Sequence, residues 1–117
     1  MATKSIYLSR NRRLQAAASN SPPLRSGETG EAVELLQQAL IDLGFRLPIS
    51  TKKTGFPDGI YGAETKSAVT AFQAGERLHD DGIAGKDTLH RLDAIICSRE
   101  LKAHSDFRNN LRSYQGS

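Results

Sequence analysis

The stretch Asp58-Gly59-Ile60-Tyr61-Gly62-Ala63-Glu64-Thr65 occurs a second time along the chain, as Asp81-Gly82-Ile83-Ala84-Gly85-Lys86-Asp87-Thr88. Five of the eight positions are identical: Asp, Gly, Ile, Gly and Thr. Asp-Gly is strongly turn-forming, because the Asp side chain accepts hydrogen bonds from nearby amides and Gly adopts positive φ without strain. The second glycine suits the position just before a helix, and the Thr falls in the first helical turn. The sequence therefore predicts two equivalent turns, each leading into a helix of one small fold.

The second glycines, Gly62 and Gly85, carry a prediction of their own. If they hold backbone conformations that a branched residue resists, valine at either position destabilises the fold by about 1 kcal/mol or more. The shared residues are interpreted as a helix-entry device. Ligand contacts are therefore expected at the positions that differ between the copies, where Tyr61 corresponds to Ala84 and Glu64 to Asp87.

Helical periodicity surrounds the repeats. After Gly30, an apolar stripe at i, i+3, i+7 and i+10 predicts a helix that stops at Gly44; its members are Val33, Leu36, Leu40 and Leu43. The pattern predicts a second helix over about 63–75 and a third over about 86–96. Residues 45–57 contain Pro48, Gly55 and Pro57, which predict a long irregular connection of the kind that is often functional.

Composition and charge limit the functional classes. The 117 residues carry one cysteine and no apolar run near the roughly 20 residues that span a bilayer, so no disulfide framework and no membrane span are expected. No secretory signal is recognisable, which predicts a cytoplasmic protein, or one that reaches the cell wall by a non-Sec route, lysis or an injection machine. Residues 27–93 hold seven basic and eleven acidic groups, whereas residues 1–26 hold five basic groups and no acid. The basic charge therefore belongs to the ends, and nucleic acid is not an expected partner.

Three regions follow from this organisation. Residues 1–23, which end at Ser21-Pro22-Pro23, are predicted to form a flexible basic arm, with a short helix near residues 6–18 left open as an alternative. Residues 24–97 form the predicted domain. Residues 98–117 are predicted to be an extension that is partly helical or disordered.

Residues 24–93 resemble the peptidoglycan-binding-like domain family, PG_binding_1. The family pattern Leu-x-x-Gly-x-x-Gly-x-x-Val followed by Leu-Gln-x-x-Leu-x-x-Leu-Gly is matched by Leu24, Gly27, Gly30, Val33, Leu36-Gln37, Leu40 and Leu43-Gly44. Its later parts are matched by the first repeat, by Ala68-Val69 and Phe72-Gln73, and by Asp81-Gly82, Gly85, Thr88 and Leu92. The resemblance covers about 70 of 117 residues, in order and with no element missing.

The resemblance implies an all-α fold, a compact three-helix bundle that binds bacterial cell walls, usually beside a catalytic domain. Two features depart from that pattern. The connection at residues 45–57 is longer than usual, and the 47 residues of the two tails are too few for a catalytic domain.

No catalytic constellation is apparent from the residues. The histidines (His79, His90 and His104) lack metal-ligand spacing, and the adjacent Asp80 and Asp81 are expected to diverge in a turn. We therefore expect no enzyme activity, no cofactor and no metal. A sugar–peptide ligand instead requires a groove with carboxylate, amide, aromatic and cationic groups. The candidates for that groove, with Tyr61 the strongest, are Asp58, Tyr61, Gln73, Arg77 and Asp81.

Two functions remain open at this point. The first is a stand-alone, non-catalytic peptidoglycan-binding module, which binds glycan strand or stem peptide and positions a partner enzyme. The second is a protein–protein adaptor in a secretion, injection or phage assembly, with the basic N-terminal arm or the C-terminal extension as docking elements.

Overall fold

Three of the helices bear out the periodicity of the sequence. The structure is a computed structural model that describes Leu8 and residues 11–98. In chain order the helices are α1 (Arg12–Ala17), α2 (Glu31–Asp42), α3 (Ala63–Gly75) and α4, which covers residues 86–98 of the described chain. The predicted bounds of α2, α3 and α4 are confirmed to within about two residues at each end, the usual uncertainty of helix termini.

Glycines mark both ends of α2. Gly30 precedes the helix with φ 131° and Gly44 follows it with φ 100°, a region that favours glycine. Between them, one face is buried while Glu31 and Glu34 occupy the first turn, where the helix dipole favours acids. The buried face of α2 meets those of α3 and α4 in a single core, which includes Val33, Leu36, Leu40, Val69, Phe72, Leu89 and Leu92. The predicted all-α fold with three main helices is thus confirmed.

The segment between α1 and α2 crosses both repeated turns. Leu24 exchanges two backbone hydrogen bonds with Ala84, at 2.9 and 2.8 Å. Further along the same segment, the Tyr61 amide donates to the Glu28 carbonyl at 3.0 Å, and the Gly27 amide donates to the Tyr61 carbonyl at 2.9 Å. One extended segment therefore fixes the two turns relative to each other.

Residues 11–23 differ from the predicted flexible arm. Asn11 caps α1 through a 3.0 Å bond from the Leu14 amide to its side chain, and Leu14 and Ala17 are fully buried in the core. A helix of six residues is not stable alone, but burying one apolar face against the domain stabilises it. The alternative of a short helix in this region is the one that the structure shows. The predictions for residues 1–7, 9–10 and 99–117 lie outside the described residues.

An ion pair holds α1 against the crossing segment. The Arg13 guanidinium donates to both Glu28 carboxylate oxygens, at 2.6 and 2.8 Å, and to the carbonyls of Pro22 and Pro23. The hydrogen bond from Arg13 holds the pKa of the Glu28 carboxyl below its ordinary value. Partial burial opposes this lowering, and the positive charge of Arg13 reinforces it. None of the helices among the described residues is both long and apolar enough to cross a membrane.

Candidate functional site

A glutamine on α2 holds the first repeated turn. Gln37 is fully buried, and its Oε1 accepts a hydrogen bond from the Gly59 amide at 2.9 Å. Its Nε2 lies within hydrogen-bond distance of the Ile60 carbonyl (3.0 Å), the Thr65 hydroxyl (2.9 Å) and Asp58 Oδ1 (3.3 Å). Asp58 Oδ1 also accepts from the Ile60 amide at 2.9 Å, as expected for an Asp-Gly turn.

A glutamine on α3 holds the second turn in the same way. Gln73 is 1% exposed, and its Oε1 accepts from the Gly82 amide at 2.9 Å. Its Nε2 reaches the Ile83 carbonyl (2.9 Å), the Thr88 hydroxyl (2.8 Å) and Asp81 Oδ1 (3.2 Å). The repeated phrase is therefore the visible part of a larger duplicated unit, a glutamine clamp that joins a turn to the preceding helix.

Tyr61 ties one copy to the other. Its side chain is 1% exposed, and its hydroxyl donates to the Gly82 carbonyl of the second turn at 2.6 Å. Burial raises the pKa of the Tyr61 phenol above its ordinary value, and the nearby Asp81 charge raises it further. Alanine occupies the same position in the second copy, so this connection has no counterpart there.

The five predicted ligand residues do not form one groove. Tyr61 and Gln73 direct their polar atoms into the fold, which removes the basis for placing a ligand on the Tyr61 side. Arg77 is exposed at the end of α3 with φ 61° and contributes nothing to a described cleft. Asp58 belongs to the first turn, whereas Gln73 and Asp81 line a cleft at the second.

In the first copy, the long connection fills the space beside the clamp. The Glu64 carboxylate accepts hydrogen bonds from the backbone amides of Ile49 and Ser50, each at 2.8 Å. The Ser50 hydroxyl lies 3.3 Å from Gln37 Nε2, and Ser50 is 6% exposed. The length of this connection therefore has a structural role, since it supplies a lid to the first turn.

In the second copy the corresponding space is open. It is a cleft of about 290 Å³, here called the second-repeat cleft. The residues that line it on the repeat side are Gln73, Asp81, Ile83, Gly85, Lys86, Asp87 and Thr88, and those facing them are Asn20, Pro23, Leu78 and His79. Asn20 comes from the segment after α1, and its side-chain oxygen accepts from the Lys86 amide at 2.9 Å, which caps α4.

A second cleft of about 480 Å³ lies between the end of α2 and the long connection. The residues that line it include the apolar Ile41, Phe45, Leu47 and Pro48 and the basic Arg46. Among the described residues, the large apolar side chains left most exposed are Ile49 (71%), Phe56 (71%) and Ile60 (53%). The second-repeat cleft offers more varied hydrogen-bonding side chains than this cleft does.

Sequence reasoning missed Asn20, Asp87 and Thr88 as cleft residues. Asp87 and Thr88 stand in the repeat itself, and the match of Leu36-Gln37 to Phe72-Gln73 was a signal that each repeat is served by its own glutamine. No pattern in the sequence pointed to Asn20, which approaches from 66 residues away. Within residues 11–98, no group of three histidine, cysteine or acidic side chains is placed to hold a metal ion.

Comparison with known proteins places these features in a family. A family model described as "Putative peptidoglycan binding domain" matches residues 29–92. The chain is 35% identical over 100 residues to a probable N-acetylmuramoyl-L-alanine amidase of Bacillus licheniformis, covering 86% of this chain and 27% of the amidase. It is 41% identical over 83 residues to the type VI secretion system spike protein VgrG3 of Vibrio cholerae, covering 62% of this chain and 8% of VgrG3.

A solved structure supports the same assignment. The SleB N-terminal domain superposes with a TM-score of 0.52 at 34% identity, over 63% of this chain and 92% of that domain. The chain spans well under half the length of the amidase and of VgrG3, and the match leaves most of both proteins uncovered. By its family model, its clamped repeats and this structural likeness, the chain belongs to the PG_binding_1 family of peptidoglycan-binding domains.

Proposed function

We propose that this protein is a non-catalytic module that binds peptidoglycan through the second-repeat cleft. The observation that carries the proposal is the difference between the copies: one clamp is covered by the chain's own loop, and the other opens to solvent. Family membership supports the choice of ligand, and the amidase relative supports a role in positioning a partner enzyme on the wall. This function requires that the protein reach the wall.

The cleft is suited to a polar ligand. Carboxylate, amide, hydroxyl and ammonium groups converge within about 290 Å³, and the clamp holds Gln73 and Thr88 rigidly at its base. Such convergent polar groups in a preformed cleft give orientation and specificity at little cost in conformational entropy.

The test is sedimentation of the purified protein with insoluble peptidoglycan sacculi. His79 stands at the cleft with 85% of its side chain exposed, so His79→Trp blocks the entrance without disturbing the core. His90→Trp is the matched control, because His90 is an exposed histidine of α4 that does not line the cleft. We expect the wild type and His90→Trp to pellet with sacculi, and His79→Trp to remain in the supernatant.

Two results would count against the proposal in different ways. If the wild type stays in the supernatant at low and moderate salt, wall binding is wrong. If His79→Trp pellets as well as the wild type, the wall is bound elsewhere on the molecule.

A second candidate is the adaptor function, favoured by the similarity to the spike protein VgrG3 and by the exposed Ile49 and Phe56. Because Leu8 and residues 11–23 are packed on the domain, the docking elements would be residues 1–7 and 99–117. Their deletion should abolish the capture of a purified assembly component in a pull-down. Capture that survives the deletion would rule the tails out as docking elements.

A further inference from the structure

The first copy contains a template for what the second copy lacks. There, two consecutive backbone amides, those of Ile49 and Ser50, donate to one carboxylate, Glu64, each at 2.8 Å. The side chain that follows the second amide then meets the clamp, with the Ser50 hydroxyl 3.3 Å from Gln37 Nε2. Residues 48–54 form turns, and the Thr51 amide donates to the Leu47 carbonyl at 3.1 Å. A turn of polypeptide, with two consecutive amides on one side, is thus held by one carboxylate.

The second copy has the same groups without the segment. Asp87 stands where Glu64 stands in the first copy, and it has no hydrogen-bond partner among the described residues. Gln73 Nε2 makes the three contacts that correspond to those of Gln37 within its turn, and no described residue occupies the place that Ser50 takes beside Gln37. Both side chains line the second-repeat cleft.

Chain length explains why no loop enters this cleft. Between α2 and the first repeat lie residues 43–57, enough to fold back over the turn and place Ser50 on the clamp. Between α3 and the second repeat lie only residues 76–80, and the Leu78 amide is already bonded to the Gln73 carbonyl at 2.8 Å. The second copy therefore leaves a peptide-recognition position open to a segment from another molecule.

We propose that the second-repeat cleft binds a peptide in a turn conformation, whose two consecutive amides donate to Asp87. This proposal rests on the proposed function, and within peptidoglycan it selects the stem peptide over the glycan strand. Asp87 is one methylene shorter than Glu64, so the bound segment lies closer to the start of α4 than residues 49–50 lie to α3.

The chemistry of the wall polymer separates the two parts of the ligand. A stem peptide offers amide N–H groups in succession along one chain, as the template requires. A glycan strand offers at most one acetamido N–H per sugar, and neighbouring ones are too far apart to share a carboxylate. Hydrogen bonds from two amides to one carboxylate are charge-assisted and short, which makes Asp87 the side chain on which affinity should depend most.

The experiment follows backbone amide resonances of the ¹⁵N-labelled protein during two titrations. One probe is the free tetrapeptide L-Ala-γ-D-Glu-meso-diaminopimelate-D-Ala, and the other is glycan strand from which the peptides have been removed. We expect the tetrapeptide to shift the amides of the cleft saturably, and the glycan strand to leave them in place. Asp87→Asn should weaken tetrapeptide binding about ten-fold, since the charge assistance of two hydrogen bonds is lost.

Two further variants serve as controls. Asp87→Glu restores the geometry of the first copy and should bind the tetrapeptide within about three-fold of the wild type, because the charged acceptor is kept. Glu64→Gln weakens the attachment of the long connection in the first copy and should leave tetrapeptide affinity unchanged. Asp87 is exposed and makes no described bond, so its variants should fold, and resonances remote from the cleft verify this.

The inference is overturned if Asp87→Asn binds the tetrapeptide as tightly as the wild type, or if the glycan strand alone shifts the cleft. In either case pelleting with sacculi still shows wall binding, so the proposed function stands independently. If the wild type fails to pellet, the proposed function fails, whatever the titrations give.

Discussion

Gly62 and Gly85 occupy the same position in the two repeats but have different surroundings. Gly62 has φ −104°, and a Cβ built there would meet nothing within 4 Å. A Cβ on Gly85 would overlap the side-chain oxygen of Asn20 and approach Pro23 Cβ at 3.2 Å. The backbone argument made from the sequence is therefore wrong for both glycines, since neither has a positive φ, and what constrains Gly85 is the side chain of Asn20. The positive φ angles belong to Gly59 and Gly82, at 73° and 74°.

Alanine substitution should separate the two positions. Gly85→Ala displaces Asn20 and with it the cap on α4, so we expect it to lower the free energy of unfolding by about 1–3 kcal/mol. Gly62→Ala meets no neighbour, and we expect a change within about 1 kcal/mol, because the weaker capping by alanine is offset by the smaller entropy of the unfolded chain. Urea unfolding of both variants measures the difference. Equal losses would mean that Asn20 does not pack against Gly85 in solution.

Helix α1 is the one element whose packing the sequence left undecided. Its buried residues number two, Leu14 and Ala17, within six residues, and such a short pattern is compatible with either an arm or a docked helix. What decides the outcome is tertiary: the core provides a complementary surface, and Arg13 finds Glu28 and the carbonyls of Pro22 and Pro23. By contrast, α2 carries its apolar stripe over twelve residues, so its position follows from its own sequence.

Truncating Leu14 tests whether α1 belongs to the domain. Leu14 is fully buried, and Leu14→Ala should destabilise the protein by about 2–5 kcal/mol through lost burial and the cavity that remains. Arg12→Ala is the control on the exposed face of the same helix, and we expect a change within about 0.5 kcal/mol. Both are measured by thermal or urea unfolding. A Leu14→Ala protein as stable as the wild type would show that α1 detaches in solution.

For the molecule as a whole, the sequence predicts the helices and the duplicated turns better than it predicts how the turns are used. Gln73 and Asp81 do line the second-repeat cleft, because the turn that orders them also forms its wall. The prediction put Tyr61 on the rim of a groove, whereas the structure buries it with its hydroxyl bonded to Gly82. The sequence does not separate these positions, because a tyrosine, apolar with one polar atom at its end, suits both. The lid on the first copy depends on where a 15-residue connection (43–57) folds, and no local pattern encodes that.

The tie from Tyr61 to the second turn makes a prediction about the stability of the whole fold. Tyr61→Phe leaves the Gly82 carbonyl without its 2.6 Å donor and should lower the free energy of unfolding by about 1–3 kcal/mol near neutral pH. The pKa of Tyr61 is raised in the folded state, so the native protein keeps this proton when the unfolded chain releases it. The stabilisation is complete below the ordinary tyrosine pKa of about 10 and falls at higher pH by up to about 1.4 kcal/mol per pH unit.

Unfolding curves of the wild type and Tyr61→Phe between pH 7 and pH 11.5 check this prediction. We expect the two stabilities to converge above about pH 10, while lysine titration affects both proteins alike. A constant difference across the range would show that the phenol of Tyr61 is not sequestered in the fold.

The pairing of Leu24 with Ala84 also bears on how the protein is made. These residues are 60 positions apart, and Leu24 leaves the ribosome well before its partner. An emerging chain that ends before residue 82 can form the bonds of Gly27 and Glu28 to Tyr61, but it lacks the bonds of Leu24 to Ala84 and of Tyr61 to Gly82. Folding should therefore be delayed until the second repeat has been synthesised, with the first repeat exposed to proteases and chaperones in the meantime. Although each copy has its own turn and helix, the two would then fold together as one cooperative unit.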